Sequence, residues 1–425
     1  MEILKFNKVS DFIDWVQVQK RFSKKEGLSK MQYFCKLLGN PELKFKSIHV
    51  TGTNGKGSTV SLLNSVLTNS GYNVGTFTSP YITCFNERIG YKNTNISDDN
   101  LLKYANRILE MYPQIKKDGI ELPTFFEFIT LIAFLYFSEL KDLDVAIIEV
   151  GMGGRLDSTN VITPVLSIIT NVAFDHMQVL GDSLEAILME KLGIVKDKVP
   201  VICGIKDSNL QELCLNVAKN HNTEAIFPSY GSVNVKKCDT SESIFSYKGF
   251  NNIELGLIGY HQIENSLLVL EAFPFLKEQF SVSEEHLTKG LSSARWLGRL
   301  ETLSSKPFIL VDGGHNIDGV KRVCEFVSTL KYPKKRAVVS ISHDKELSQM
   351  INLLDNTFDE IIFTKYTYAR SAEAADLYNI SNAKSKKLIP NIDLAIEEVY
   401  RNEADITIFM GSLYLVSEIR NKILK

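Results

Sequence analysis

The stretch HVTGTNGKGSTVSLLN, residues 49–64, constrains the fold of this chain more than any other. Residues 47–51 read as a short strand, and glycines at 52, 55 and 57 allow the main chain to turn tightly. Val60, Leu63, Val66 and Leu67 then recur at helical spacing until Gly71. A strand, a glycine turn and a helix in this order gather backbone N–H groups and a helix N-terminus around Lys56, an arrangement suited to phosphate. The spacing departs from G-x-x-x-x-G-K-[ST], because two residues separate Gly52 from Gly55 and Gly57 follows Lys56. An ordinary glycine-rich connection is the alternative reading.

Strands and helices alternate along the chain, the pattern of a mainly parallel sheet covered by helices. Strand-like runs end at Thr51, near Thr78, at Val150, near Thr170 and near Cys203. Residues 234–257 look more β-rich and looped, and a helix is expected over 261–273. The pattern then restarts: PFILVDGGHN, RAVVSIS, EIIFTKY and ADITIFMGS read as four further strands, each but the third followed by a fairly clear helix. At 425 residues the chain exceeds the roughly 100–200 typical of one domain. The expected fold is therefore α/β in two parts. An N-terminal P-loop-type domain with a mainly parallel sheet occupies 1–294, and a smaller Rossmann-like α/β domain occupies 295–425.

Charge narrows the partners. Lysine plus arginine number 48 against 50 acidic residues, a formal charge of −2, with no basic run for nucleic acid or an anionic membrane. Six scattered cysteines lack the close sequence pairs of a zinc site or redox dithiol and fit a reducing cytoplasm. The start, MEILKFNKVSDF, has no signal-peptide core, and the greasiest run, 125–137, is interrupted by Glu127 and too short for a bilayer. A soluble, cytoplasmic monomer acting on small molecules is expected.

If the loop holds ATP, a magnesium site built from oxygen ligands and an imidazole belongs beyond the carboxyl ends of neighbouring strands. Three segments deliver candidates there. DVAIIEVG ends its strand on Glu149, SIITNVAFDH brings Asp175 and His176, and GTFTSP brings Ser79. Each has a plain alternative: a salt-bridged carboxylate, a structural histidine, an uninvolved serine. In GDSLEAILMEKLGIVK, capped by Asp182 or Ser183, Lys191 falls on the apolar face with Leu184, Ile187, Leu188 and Val195. Its stem packs while the ammonium finds a partner, or burial lowers its pKa and leaves an amine able to take up carbon dioxide as a carbamate.

Ten ordered motifs resemble those of the folylpolyglutamate synthase family, called dihydrofolate synthase when bifunctional, within the Mur-ligase superfamily. They are GTNGKGST (52–59), FTSPYI with FNERI (77–89), TFFEFIT (124–130), IIEVGMGGRLDSTNVI (147–162), DHMQVLGDS (175–183), EKLGIVK (190–196), GYHQIEN (259–265), WLGRLE (296–301), DGGHN (312–316) and GSLYLVSEI (411–419). The resemblance implies that Thr53, Asn54, Gly55, Lys56, Gly57 and Ser58 bind ATP phosphates, that Ser79, Glu149 and His176 ligate Mg2+, and that Lys191 is carbamylated. It implies ATP contacts from Asn265, Arg299 and Asp312, with Arg299 directed toward the γ-phosphate, and puts His315 and Ser412 near the incoming glutamate. It implies that Arg21, the loop 79–88 with Arg88, Thr124, Phe125, Phe126, Glu127 and Asp157 handle the pterin substrate. Read singly, Arg299 and Glu301 look like a surface ion pair, and Asp312 and His315 like a polar turn.

The implied activity is addition of L-glutamate to the carboxylate of a reduced folate through an acyl phosphate. Action on dihydropteroate, and another Mur-type amide ligation, remain the alternatives. Two positions depart from the family pattern: Tyr81 stands where histidine is common, and Ile317 where proline is frequent. A switch or motor NTPase would explain the first domain but give DGGHN no task.

Overall fold

A computed structural model describes residues 4–20 and 27–424 of the chain. The Cα positions divide it into two compact units, Met1–Tyr230 with Asn265–Leu291, and Gly231–Glu264 with Ser292–Lys425.

In the first unit eight strands form one sheet: β1 Ser47–Thr51, β2 Val74–Phe77, β3 Ile89–Tyr91, β4 Thr94–Asn95, β5 Val145–Glu149, β6 Leu166–Ile169, β7 Val201–Cys203 and β8 Ala225–Ile226. Their order is β4-β3-β2-β5-β1-β6-β7-β8. All neighbours run parallel except the β2–β3 and β3–β4 pairs. The glycine-loop strand β1 thus lies inside the sheet, flanked by β5 and β6, the strands that deliver Glu149 and the Asp175–His176 segment. Every residue of β1 is buried, including Ser47, His49 and Thr51. Those polar groups find partners: Thr51 Oγ1 donates to the Gly153 carbonyl at 2.5 Å, and His49 Nε2 lies 2.8 Å from Thr159 Oγ1.

The greasy run of the sequence is a central helix, Phe125–Glu139, whose residues from Glu127 to Phe137 are all buried. Its hydrophobicity is all round, as a helix packed on every side requires. It joins a core with Phe12, Val16, Phe34, Leu101, Ile108 and Ile148, each fully buried phenylalanine or leucine contributing roughly 1.5–3 kcal/mol. No helix among the described residues is long and apolar enough to cross a membrane.

The second unit holds an antiparallel sheet ordered β11-β10-β9, from β9 Val233–Cys238, β10 Ser243–Tyr247 and β11 Phe250–Leu255. It also holds a six-stranded sheet of β12 Glu301–Ser305, β13 Phe308–Asp312, β14 Lys335–Val339, β15 Glu360–Phe363, β16 Lys386–Leu388 and β17 Ile406–Met410. The order is β12-β13-β17-β14-β15-β16, parallel except for β12. The α/β fold class read from the sequence is thus the observed one, while residues 231–264, expected in the first part, group with the second unit.

Several details differ from that reading. The helix expected over 261–273 runs Tyr260–Phe280 and passes through Pro274, because Leu276 and Phe280 continue its buried face. A helix, Ala374–Ile380, does follow the third late strand. Edge strands β4, β8, β12 and β16, and β3 next to the edge, carry two to five residues with little apolar patterning, so no signal marked them. The Lys191 helix spans Leu184–Leu192, and Val195 is buried just beyond its end instead of on its face.

Candidate active site

The glycine loop leaves β1 and enters the helix Lys56–Asn69, with Gly55 as its N-cap in a left-handed conformation at φ 81°. A Cβ on Gly55 would stand 2.3 Å from the Asn265 side-chain oxygen, so glycine answers both the backbone angle and the close approach. Asn265 is thereby brought to the loop from a helix more than two hundred residues away. Asn171, the second residue after β6, fixes the loop from the other side. Its Oδ1 accepts from the Asn54 N–H at 2.9 Å and the Thr53 N–H at 3.2 Å. Thr170 Oγ1 donates to the Asn54 carbonyl at 2.5 Å. Lys56 curls over its own loop, donating to the carbonyls of Gly52 at 3.1 Å and Thr53 at 3.2 Å. Those carbonyl oxygens occupy the donors that a phosphate oxygen would take. Thr53, Asn54, Gly55 and Lys56 are thus tied together at the start of the helix Lys56–Asn69, and Gly57 and Ser58 follow in its first turn.

Glu149 closes β5, buried, and its Oε2 accepts from the Ser79 N–H at 3.1 Å. Two of the three expected magnesium ligands are thus hydrogen-bonded neighbours at the carboxyl edge of the sheet. They are hard oxygen donors of the kind magnesium takes, and a buried carboxylate at that position gains from a cation. His176 sits in a left-handed conformation at φ 52° with its ring 46% exposed, 3.9 Å from the Asp175 carboxylate. Among the described residues no group of three or more His, Cys, Asp or Glu is arranged to hold a metal ion. The expected set contains only two residues of those types, the third being Ser79.

Lys191 is 1% exposed, with the charges of Lys56 and Asp175 acting on its ammonium. Burial, reinforced by the charge of Lys56 and opposed by that of Asp175, holds its pKa down to about 7. A substantial share of the side chain is therefore a neutral amine near pH 7, in the electrostatic field of Lys56. Packing explains the close quarters. A Cβ on Gly154 would meet the Glu190 and Lys191 carbonyls at 2.8 and 2.9 Å, so only glycine lets the GMGG loop lie on this helix.

The expected pterin residues divide into two kinds. Arg88 is buried, its guanidinium over the rings of Tyr81 at 5.1 Å, Phe125 at 5.3 Å and Phe85 at 5.6 Å. Three rings around one cation form an aromatic and cationic patch, each contact worth about 0.5–2 kcal/mol. Phe126 packs on Phe77 with centroids 5.8 Å apart. Thr124 and Glu127, by contrast, are occupied with each other in a capping box, and Lys30 lies 2.9 Å from Glu127. Asp157 is equally engaged: its oxygens accept from Thr159 N–H, Thr159 Oγ1 and Met152 N–H. Burial raises its pKa against those bonds. Arg21 lies outside the described residues.

In the second unit Asp312 ends β13, buried, accepting from Leu300 N–H at 2.9 Å and Gly314 N–H at 2.7 Å. Burial pushes its pKa up and the Arg299 charge pulls it back. The Arg299 guanidinium also approaches Gly313. Glu301 pairs with Arg420 and accepts from Gly298 N–H, so the surface pair of Arg299 with Glu301 is not what forms. His315 Nδ1 lies 2.9 Å from the Gly313 carbonyl. Ser412, buried, caps the helix Leu413–Ile423.

Residues 50–273 match the Mur ligase middle domain, and residues 298–413 match the Mur ligase glutamate ligase domain. The dihydrofolate synthase/folylpolyglutamate synthase of Bacillus subtilis (strain 168) is 35% identical over 429 residues, covering 98% of this chain and 100% of its own. The chain belongs to the dihydrofolate synthase/folylpolyglutamate synthase family. A crystal structure of Thermotoga maritima folylpolyglutamate synthase superposes with a TM-score of 0.85 at 31% identity, covering 98% of this chain and 97% of the other. Escherichia coli FolC in complex with DHPP and ADP gives 0.85 at 25% identity, covering 98% of each.

In this family member the stretch matching the glutamate ligase domain contains Arg299, Asp312, His315 and Ser412. Two features were not read from its sequence. Asn171 orders the glycine loop, and its only trace was its place directly after a strand end. The buried chain His49–Thr159–Asp157 underlies the same sheet, with His49 held down to about 3 by burial and by Lys196. Its signal was a lone polar residue inside an apolar strand.

Proposed function

We propose that the chain is an ATP-dependent ligase that joins L-glutamate to the carboxylate of a folate through an acyl phosphate, with ATP as co-substrate. One observation carries this reading. At the carboxyl edge of the first sheet a phosphate cradle with Lys56, a buried Glu149 bonded to Ser79, and a buried, part-neutral Lys191 occur together. The full-length match to glutamate-ligating relatives supports it.

A carboxylate does not condense with an amine in neutral water, because its leaving group would be oxide. Transfer of the γ-phosphoryl group converts that oxide into phosphate. The cradle N–H groups and Lys56 hold the nucleotide phosphates and neutralise charge spreading over the transferring group. Ser79, Glu149 and His176 would hold a magnesium ion, which supplies further neutralisation of the phosphates. Lys191 as its carbamate adds an anion near Lys56. The glutamate amine then attacks the acyl carbon and phosphate departs. Residues 1–294 handle ATP and the folate, and residues 295–425 the amino acid, with Arg299 and Asp312 on the nucleotide and His315 and Ser412 near glutamate. The rings around Arg88, with Phe126, suit a flat pteridine. The six free cysteines fit a cytoplasmic location, and a monomer is the assembly this reading takes.

The test supplies ATP, magnesium and labelled glutamate with either dihydropteroate or a tetrahydrofolate, and asks by mass spectrometry which acceptor gains a glutamyl residue. A gain on tetrahydrofolate is expected. Gain on dihydropteroate alone favours the dihydrofolate synthase reading, for which the E. coli complex with DHPP is the specific support. No gain on either sinks both.

A further inference from the structure

A second polar constellation lies at the carboxyl ends of β14, β15 and β17, where open parallel sheets collect ligands. Ser340 and Ser342 follow β14, Tyr366 follows β15 and Ser412 follows β17, all of them buried. Their hydroxyls bond to one another. Ser342 Oγ lies 2.7 Å from the Tyr366 hydroxyl, which also bonds Ser412, and Ser340 Oγ lies 3.1 Å from Ser371 Oγ. A bridge between Ser342 and Ser371, the His343 N–H donating to the Arg370 carbonyl and the Ala372 N–H donating to the Ile341 carbonyl zip loops 340–345 and 366–372 together.

On this floor three tyrosines stack. Tyr368 and Tyr414 have ring centroids 4.5 Å apart at 20°, and Tyr366 and Tyr414 5.7 Å apart at 28°. Tyr368 is 41% and Tyr414 38% exposed. Beside them Arg370, 32% exposed, donates to Asp344 and bonds the Tyr414 hydroxyl. As a surface ion pair this would add little stability. A guanidinium has five N–H donors in a rigid fork, and Asp344 with Tyr414 engages only part of them. The result is an oriented cation at the mouth of a hydroxyl-lined, ring-walled strand edge, a fit for a carboxylate on a short aliphatic stem.

We propose that Arg370 binds one of the two unreacting carboxylates of the incoming L-glutamate, with Tyr368 and Tyr414 walling its methylenes. This rests on the glutamate-ligase reading above. Asp344 acts as a positioning residue that orients the fork. Lys345 and His343 lie in the same loop and add positive or polar character, but neither offers a planar fork.

The experiment measures kcat/KM for L-glutamate, L-glutamine and L-isoglutamine in wild type, R370A and R370K, by ADP release at saturating ATP and folate. The two amides each lack one carboxylate. R370A is expected to lower kcat/KM for glutamate by roughly 10- to 100-fold, the range of a charged hydrogen-bonded pair. The amide missing the bound carboxylate should change by less than about threefold, with R370K intermediate and KM for ATP and folate unchanged. Insensitivity confined to glutamine assigns the side-chain carboxylate, and insensitivity confined to isoglutamine assigns the α-carboxylate. Equal losses for all three amino acids, or none, overturn the proposal. A wild-type enzyme that releases no ADP in response to glutamate overturns the ligase reading itself.

Discussion

Replacing Lys191 by methionine separates stability from function at the residue where the two are most opposed. Methionine keeps the length of the stem and removes the amine. The side chain is 1% exposed and its pKa falls from 10.5 to about 7 on folding. The unfolded chain therefore holds this proton more tightly than the folded one, and between the two values stability rises with pH. The slope is about 1.4 kcal/mol per pH unit from this group alone. At pH 7 the folded state bears a penalty of roughly 4 kcal/mol relative to a neutral side chain, shrinking to about 1.4 kcal/mol at pH 9.5. K191M should accordingly be more stable than wild type at pH 7, by up to that amount, with the gap closing as pH rises. Urea unfolding of both proteins at pH 7, 8 and 9.5, in buffers stripped of carbon dioxide, reads the difference directly. The same variant should lose ligase activity. A methionine variant that is less stable than wild type, or a gap that does not vary with pH, would refute the assignment of Lys191 as a buried, depressed amine.

Other perturbations test other parts of the site. G55A forces a side chain into a left-handed residue and onto Asn265, so nucleotide affinity by calorimetry should fall at least about tenfold, with strain of roughly 1–2 kcal/mol. D157N turns one acceptor of a fully bonded carboxylate into a donor facing an N–H or hydroxyl, and thermal unfolding should show a loss of about 1–3 kcal/mol. E360Q strips Arg336, which is fully buried on β14, of its carboxylate, and chemical denaturation should register a loss of about 3–5 kcal/mol. An E360Q protein as stable as wild type would mean that the buried guanidinium is satisfied in another way.

The sequence disclosed most where one local rule determines both structure and chemistry. Around Lys56, glycine freedom, strand character and helical spacing agree, and the strand, turn and helix form as they indicate. Lys191 was legible for a similar reason: one charged residue at helical spacing among leucines and isoleucines can only point inward. Legibility failed where partners are distant or patterning is weak. Asn171 reaches the loop through tertiary packing that no window of residues contains, and Asn265 was named only through the family resemblance. Asp157, Thr124 and Glu127, expected at the pterin, are engaged in local hydrogen bonds that the sequence did not reveal. The cluster of Ser342, Tyr366, Arg370, Ser412 and Tyr414 spreads over three strand ends, and only Ser412 and Tyr414 among them lay in a motif. Edge strands such as β12, with the composition ETLSS, carry no alternation and are defined by the pairing they complete.

The central claim is that a carboxylate is phosphorylated before the amine attacks it. Folate labelled with oxygen-18 in its side-chain carboxylate, incubated with the enzyme, ATP, magnesium and glutamate, reports that step through the mass of the released phosphate. One labelled oxygen in each phosphate formed is the expected result. Phosphate released without label while the amide product accumulates would contradict the account.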